Sequence, residues 1–355
     1  MDIAKVLNED LMKEKLEVIE RLKVFLKSKN VDDDVLRCIE IYKNNFIRDE
    51  KIESVRICEN KISYNKTNSS FIKSELEQKG YCIVPNVLLK EEILSYTEKF
   101  HKWRNSIPGL DKFHNTLDPH NIYKYHEVGN QEFAWNIRLN EKVQRVFKHL
   151  WDTEDLVVSF DGCCWMDKDI NKIDKIWTHS DQGPKIKGVS CYQSFVSMTD
   201  NEEKTLIVYE GSHKLLHNYY KEKEITNTGN WNLIDKDYLK SINSLKRKLK
   251  VNAGDLVLWE SRTFHQNTYG KKNLEERLVQ YVCFLPKKNE LNSKAMQKKR
   301  LKYFETLRTT SHWPYPIKVN AKQPRNYGND DYVIDYDTLP KPNLEDLLSG
   351  IKKII

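Results

Sequence analysis

This chain of 355 residues has neither long apolar runs nor cysteines at C-x-x-C spacing. No apolar run approaches the roughly 20 residues that a membrane-spanning helix needs, so the sequence predicts no membrane span. The first ten residues, MDIAKVLNED, lack the apolar stretch of a secretory signal. The seven cysteines are odd in number and show no C-x-x-C spacing, which favours reduced thiols over a disulfide framework. We therefore expect a cytoplasmic protein.

Aromatic residues are plentiful, and the charge is unevenly distributed. Eighteen Tyr and eight Trp argue against disorder. The net charge of +7 is modest, but basic residues cluster at 245–250 and 287–302. Such clusters are either solvated faces or patches that meet an anionic substrate, such as a coenzyme A ester, or a nucleic acid. The chain has no recognised nucleic-acid motif and no interleaving of aromatics with these charges, so nucleic acid is not the expected partner.

Three segments of the chain differ in pattern. Residues 1–66 carry an amphipathic pattern that predicts an N-terminal helical extension. Residues 67–290 contain short β-branched and aromatic runs bounded by turn residues, which is typical of a mainly β jelly roll with helical additions. Residues 291–355 begin as a basic helix and become irregular, which predicts a tail packed on the core. Strands are predicted at 81–87, 156–160, 189–198, 205–209, 256–260 and 278–285, and helices at 90–104 and 139–151.

The pattern His179-Ser180-Asp181 lies in a β-like stretch, and another histidine, His265, follows much later. Alternate side chains of a strand point to the same face, so His179 and Asp181 can reach one metal while Ser180 points away. A jelly roll can place the strand that carries His265 alongside. Two imidazoles and one carboxylate form the ligand set of non-haem iron(II) oxygenases, whereas structural zinc sites more often use thiolates.

Arg277 lies at the start of the last predicted strand, shortly after His265. A buried arginine there can hold a carboxylate through two parallel hydrogen bonds. The residues alone leave a second interpretation open, which is an ordinary salt bridge to Glu275 or Glu260.

Four motifs occur together in an order that we compare with a known family: His179-Ser-Asp-Gln182, Gly211-Ser-His-Lys214, Gly254-Asp-Leu-Val-Leu-Trp259, and His265 with Arg277. The run Gly80-Tyr-Cys-Ile-Val-Pro85, followed by a helix, matches the opening of that family's domain. The chain resembles the phytanoyl-CoA dioxygenase family of iron(II)- and 2-oxoglutarate-dependent oxygenases. The resemblance covers residues from about 70 to 290 and explains neither the N-terminal helices nor the tail.

The resemblance implies a double-stranded β-helix core of the cupin type. It also implies that His179, Asp181 and His265 are the iron ligands. Relatives that lack the carboxylate bind halide in its place. Asp181 is present here, so oxygenation rather than halogenation is expected.

The resemblance further implies 2-oxoglutarate as the cosubstrate, with its distal carboxylate held by Arg277. Gln193 matches a position that faces the same cavity, where it would contact the cosubstrate or support the metal ligands. Lys124, in a Tyr-Lys-Tyr-His stretch, would be another 2-oxoglutarate contact. This chain has Tyr-Gln-Ser-Phe where related proteins often have a Gly-rich strand, and the bulkier residues would narrow the pocket.

The expected function is hydroxylation of an unidentified substrate, small or acyl-type and including anionic ones, with release of succinate and CO2. Two alternatives belong to other classes: a catalytically silent β-helix protein that binds a ligand or partner, and a nucleic-acid-directed protein that uses the basic stretches. Other residues have plainer interpretations. His213 is expected to be structural, Asp161-Gly162 an ordinary turn, and three tryptophans are expected in the core, namely Trp165, Trp177 and Trp259.

Overall fold

The computed structural model describes residues 68–110, 120–170, 172–272, 274–324 and 335–355, together with residues 17, 19–21 and 24. Contacts divide the chain into two units, Met1–Asn68 and Ser69–Ile355. The few described positions of the first unit are helical, and the rest of the predicted extension lies outside the described residues. The predicted boundaries at residues 66 and 290 stay predictions.

The second unit contains both helices and short strands. The α-helices of the described residues are α1 (Asn68–Lys79), α2 (Lys90–Asn105), α3 (Glu132–Leu139), α4 (Glu141–Trp151), α5 (Leu216–Glu222), α6 (Lys236–Ser241), α7 (Lys294–Glu305) and α8 (Leu348–Ile354). The strands are β1 (Tyr81–Val84), β2 (Ile122–Tyr123), β3 (Leu156–Val158), β4 (Cys163–Met166), β5 (His179–Ser180), β6 (Tyr192–Ser197), β7 (Leu206–Tyr209), β8 (Asn232–Leu233), β9 (Lys246–Lys248), β10 (Leu256–Glu260), β11 (His265–Asn267), β12 (Arg277–Val282) and β13 (Phe284–Pro286).

Two antiparallel sheets form the core of this unit. One has six strands in the order β1-β10-β6-β12-β4-β2, and the other has five in the order β8-β5-β11-β7-β9. A buried apolar cluster joins the inner faces of the two sheets, with Phe195 and Val257 from the first and Leu206 and Val208 from the second. This architecture confirms the predicted double-stranded β-helix with helical additions.

Alternation along each strand decides which side chains face the space between the sheets. In β10, Val257 and Trp259 belong to the cluster between the sheets, whereas Leu256 and Leu258 belong to the cluster on the outer face. The outer face of the six-stranded sheet is covered by helices, which is why both faces of β10 are apolar.

Helix α4 shows how the covering layer is encoded. Its buried residues recur at helical spacing, so they form one face that packs on the sheet. The side chain of Asn140 accepts hydrogen bonds from the backbone N–H groups of Lys142 and Val143 and so begins the helix. The extended backbone of Asn140 also ends α3, which is why α4 begins at Glu141 rather than at residue 139 as predicted.

The basic cluster at residues 245–250 forms an edge strand. Strand β9 lies at one edge of the five-stranded sheet, and β8 lies at the other. Arg247, Lys248 and Lys250 are each within ion-pair distance of a glutamate, namely Glu210 at 3.5 Å, Glu203 at 2.8 Å and Glu202 at 3.4 Å. Charged edge strands discourage pairing with the edges of other sheets. The solvated-face interpretation therefore accounts for this cluster.

Helix α7 accounts for part of the second basic cluster, and it starts at Lys294 rather than directly after Pro286. Among the described residues, no helix is both long enough and apolar enough to cross a membrane.

Candidate active site

Neighbouring strands bring the two predicted histidine ligands together. His179 in β5 and His265 in β11 are paired across the five-stranded sheet, and their ring centroids are 4.3 Å apart. Asp181 follows β5 by one residue, and its backbone N–H bonds to Ser261 O at 2.9 Å. Ser180 points to the opposite side, where its hydroxyl lies 2.8 Å from Tyr220 Oη. The alternation expected from the sequence therefore exists at this strand.

The donor atoms of His179, Asp181 and His265 converge on one point. All lie within 4.8 Å of one another. Asp181 Oδ2 is 3.5 Å from His179 Nε2 and 3.4 Å from His265 Nε2. The three side chains are buried, so water competes little for them. Two imidazoles and one carboxylate on the same side of a metal position are the donor set that iron(II) prefers in such sites. The residues therefore fit the metal that the sequence predicts.

Backbone carbonyls fix the orientation of both imidazoles. His179 Nδ1 lies 3.1 Å from Trp177 O, and His265 Nδ1 lies 2.9 Å from Thr263 O. A carbonyl can only accept, so each Nδ1 atom carries the hydrogen. Both Nε2 atoms are consequently unprotonated in the neutral rings and turn their lone pairs toward Asp181 and the metal position.

Charge and burial act in opposite directions on Asp181. Burial alone would raise the pKa of its carboxyl, but the neighbouring His179 and His265 outweigh burial and hold that pKa well below its usual range. Burial also lowers the pKa of His265. Asp181 is therefore an ionised carboxylate, which is the form that binds a cation.

Gln193 and His312 extend the site beyond the three ligands. Gln193 Nε2 donates to Asp181 Oδ2 at 2.9 Å and lies 3.1 Å from His312 Nε2. An amide nitrogen only donates, so His312 Nε2 accepts and its ring is neutral, in keeping with the lowering of its pKa by burial. His312 was missed by sequence reasoning, because it lies in the irregular tail, far along the chain from the three predicted ligands.

Arg277 is fully buried on the inner face of β12. Its guanidinium carbon lies 5.2 Å from the centroid of the Phe195 ring, and Nη1 is 3.8 Å from Cys164 Sγ. Its Nε and Nη2 atoms have no hydrogen-bond partner among the described residues. Buried charge without a partner is costly, so these donors fit an anionic ligand such as a carboxylate.

The glutamates of the alternative interpretation are engaged elsewhere. Glu275 accepts from the backbone N–H groups of residues 202–204, and Glu260 pairs with Arg262. Within the described part of the chain, the salt bridge considered for Arg277 is therefore absent.

A cavity of about 380 Å³ opens onto the triad. Gln193, Lys124, Asp161 and His312 also line it. The volume is in the range of small-molecule sites. Asp161 departs from its expected role as a plain turn residue, because burial raises its pKa to about 7 and its carboxylate faces this cavity. Neither Arg277 nor Phe195, over whose ring the guanidinium lies, is among the residues that line this cavity.

Two of the three tryptophans expected in the core line the cavity, and one of them, Trp259, also belongs to the core cluster between the sheets, as expected. Trp177 is stacked against His179 at 5.0 Å between ring centroids and against His120 at 3.9 Å, so it supports a metal ligand. Trp259 is buried, and its Nε1–H has no partner among the described residues. Trp165 is in the core as expected, bonded to Glu276 at 2.6 Å.

His213 takes the structural role that the sequence predicted. Its Nε2 atom lies 3.0 Å from Glu77 O, and the 3-10 turn that carries it also includes Ser212, whose hydroxyl accepts from Phe264 N. Gln182 is likewise structural, because its amide bonds to Ile186 O and Gly188 O and so fixes the loop after the ligands.

A double-stranded β-helix with two histidines and one carboxylate in its interior defines the class of mononuclear metal-dependent oxygenases. The model of the phytanoyl-CoA dioxygenase (PhyH) family matches residues 76–268, which is more than half of the chain. The chain belongs to the phytanoyl-CoA dioxygenase family of oxygenases, whose cofactors are iron(II) and 2-oxoglutarate. The match includes the three triad residues, whereas Arg277 and His312 lie beyond it.

Two similar proteins cover more of the chain. "Ava biosynthesis cluster protein O" of Aspergillus versicolor is 27% identical over 269 residues, which are 68% of this chain and 85% of that protein. The putative oxidoreductase from Salmonella typhimurium LT2 has a crystal structure that covers 95% of this chain and 96% of its own, with a TM-score of 0.59 and 14% identity. The second similarity concerns the fold alone.

Proposed function

We propose that the chain hydroxylates a small organic substrate, with iron(II) as the metal and 2-oxoglutarate as the cosubstrate. The observation that carries this proposal is the convergence of His179, Asp181 and His265, with both imidazoles fixed by backbone carbonyls. The Aspergillus relative is named as a biosynthesis cluster protein, in keeping with a small-molecule substrate. Membership of an oxygenase family supports an active enzyme rather than a silent binding protein.

The chain's own residues would divide the work as follows. His179 and His265 present unprotonated Nε2 atoms, and Asp181 supplies the negative charge that balances the metal. Arg277 holds the distal carboxylate of 2-oxoglutarate with its unpartnered donors. Iron(II) with bound 2-oxoglutarate supplies the oxidising chemistry, in which one oxygen atom of O2 enters the substrate and the other enters succinate, while CO2 is released.

Gln193 and Lys124 would have supporting roles. Gln193 holds the carboxylate of Asp181 through its amide, which fixes a ligand before the metal arrives. Lys124 adds a positive charge to the cavity wall, which favours a dianion such as 2-oxoglutarate. A cytoplasmic location stays a prediction from the sequence.

An anaerobic titration of the metal-free protein with iron(II) and 2-oxoglutarate tests this function through the visible absorption band of the iron-bound cosubstrate. We expect a band in the native protein, no band in His179→Ala, and a band in Arg277→Ala only at much higher 2-oxoglutarate concentrations. His213→Ala is the matched control, because it removes a buried histidine outside the triad and should keep the band. A folded native protein without a band would favour the silent binding protein.

A further inference from the structure

Asp161 presents a carboxylate to the cavity from a rigid piece of backbone. Its own carbonyl accepts hydrogen bonds from Arg138 Nη2 at 2.7 Å and Gln280 Nε2 at 3.2 Å, and both donors are fully buried. A Cβ atom at Gly162 would lie 1.8 Å from Tyr123 O, so only glycine permits this close approach of β2. The main chain at Asp161 is therefore fixed from two sides.

The carboxylate itself is little used by the protein. It accepts one hydrogen bond, from the backbone N–H of Gly162 at 2.7 Å, and no side chain of the described residues donates to it. Lys124 lines the same cavity without forming an ion pair with it in that part of the chain. An acceptor held in place and left open toward a cavity is suited to a ligand's hydrogen-bond donor.

Charge distinguishes the ligand that Asp161 can accept. 2-Oxoglutarate is a dianion, so Arg277 and Lys124 attract it, and Asp161 repels it above pH 7, where its carboxyl is ionised. Asp161 therefore suits the other ligand of the site, which is the primary substrate. An anionic group on that substrate would meet the same repulsion.

Trp231 provides an apolar surface at the opening of the same cavity. The side chain is 52% exposed although it lines the cavity, and its ring lies 5.4 Å from that of His179. Leu233 in β8 and Ile176, next to Trp177, are exposed to the same extent. Unlike Trp177, whose ring is stacked between two histidines, Trp231 keeps much of its surface in water. A substrate that covers this surface would gain from its burial.

We propose that Asp161 and Trp231 select the primary substrate, a small molecule with an apolar ring system, a hydroxyl or amino hydrogen-bond donor, and no anionic group. Asp161 accepts the donor, and the ring packs on Trp231 beside His179. This inference rests on the proposed function, because it assigns the substrate of the same site. It disfavours coenzyme A esters and free carboxylates as substrates.

Three naphthalenes that differ in one group test the proposal: 2-naphthol, 2-methoxynaphthalene and 2-naphthoate. Each is titrated anaerobically into the full chain loaded with iron(II) and 2-oxoglutarate, and binding is followed by the change in the visible band. We expect 2-naphthol to bind about tenfold more tightly than the ether, as for one hydrogen bond of about 1.4 kcal/mol, and 2-naphthoate to bind most weakly.

Variants assign the selectivity to the two residues. Asp161→Asn should abolish the preference for 2-naphthol over 2-naphthoate. It should not weaken the binding of 2-oxoglutarate, because it removes a negative charge from the cavity. Trp231→Ala should weaken all three probes to a similar degree, and Trp231→Phe should restore part of the loss. Leu301→Ala, at an exposed apolar residue of α7, is the control and should change nothing.

Several results would overturn the proposal. These are tightest binding of 2-naphthoate, no binding of any probe at millimolar concentration, or a weakened affinity for 2-oxoglutarate in Asp161→Asn. Failure of the proposed function looks different, because no visible band would form with iron(II) and 2-oxoglutarate before any probe is added.

Discussion

The side-chain amide of Gln193 lies 2.9 Å from the carboxylate of Asp181. The same nitrogen atom is 3.1 Å from His312 Nε2, so the amide donates both of its hydrogens to groups of the site. A ligand of the proposed metal is thus held by a residue of the six-stranded sheet, which is in turn held by the C-terminal tail. Groups that orient a ligand commonly change metal affinity without touching the metal.

Gln193→Leu should weaken iron(II) binding by about 10- to 100-fold, because it removes the donor that holds Asp181 while it keeps the side-chain size. His312→Ala should have a smaller effect, because it acts through Gln193. Iron(II) affinity is measured by competition with a coloured chelator. Gln280→Leu is the matched control, since Gln280 is a buried glutamine of the adjacent strand that bonds to backbone carbonyls instead. Equal iron affinities of the native protein and Gln193→Leu would contradict this role.

Two buried arginines should respond oppositely to replacement by methionine. Arg138 donates to Gly129 O at 2.6 Å and to Asp161 O at 2.7 Å, so Arg138→Met should lower the free energy of unfolding by about 3 kcal/mol. Arg277 has unpartnered donors, so Arg277→Met should leave the ligand-free protein as stable as the native chain or more stable. Urea denaturation without ligands measures both.

Addition of 2-oxoglutarate with iron(II) should raise the free energy of unfolding of one of these two variants but not of the other. At 100 times the dissociation constant a bound ligand stabilises a protein by about 2.7 kcal/mol. Arg138→Met should retain this stabilisation, and Arg277→Met should lose it. A loss of ligand-free stability in Arg277→Met as large as in Arg138→Met would mean that Arg277 is structural.

His126 should make the protein sensitive to mild acid. Burial lowers its pKa from 6.5 to about 4, and its ring Nε2 has no partner among the described residues. Between pH 6.5 and about pH 4, His126 is therefore protonated in the unfolded chain but not in the folded chain. The contribution of His126 to the free energy of unfolding is fully present above pH 6.5. It is lost as the pH falls toward 4, by about 3 kcal/mol in total.

His126→Asn should flatten this part of the pH profile. Asparagine tolerates the positive φ of 57° at this position and does not titrate. The measurement is the free energy of unfolding in urea at intervals between pH 4 and pH 7. Parallel profiles for the two proteins would show that His126 is not the group responsible.

Neutralising strand β9 should promote aggregation. Replacement of Lys246, Arg247 and Lys248 by Gln removes the charges from an exposed edge strand. Light scattering of the concentrated variant should rise, while its 2-oxoglutarate affinity stays native. The control replaces three exposed lysines of α7 by Gln: Lys294, Lys298 and Lys302. A steeply salt-dependent retention on DNA that the β9 variant loses would instead favour a nucleic-acid role.

The strands of the core could be predicted because their composition and alternation are strong. Strand β10 has the predicted bounds, and β6 and β7 lie within the predicted runs. Strands such as β5, with two residues, and β11, with three, are too short for a periodic pattern. Their partners in the sheet define them, so the sequence could indicate the ligands more readily than the strands that carry them.

The outer parts of the site could not be predicted, because they depend on the path of the chain. Nothing in the spacing of His312 along the sequence connects it with the metal ligands. Its contact with Gln193 exists only because the tail returns to β6. Asp161-Gly162 has the composition of a turn, and nothing in that composition indicates that Asp161 lines a cavity or that β2 passes close to Gly162. Nothing in the sequence around Trp177 differs from that of a core tryptophan, so only its packing between His120 and His179 shows its position in the cavity wall.

The tail that carries His312 also has a consequence for the order of synthesis. Thr310 is hydrogen-bonded to Phe160 in both directions at 2.9 Å, and Thr309 Oγ1 accepts from Gly129 N at 3.0 Å, so this segment docks beside Asp161. A nascent chain that has reached residue 290 already carries all three predicted ligands and Arg277, but not this segment. We expect such a chain to bind iron more weakly and at a more exposed site. Full iron affinity is then reached only after residue 312 has left the ribosome.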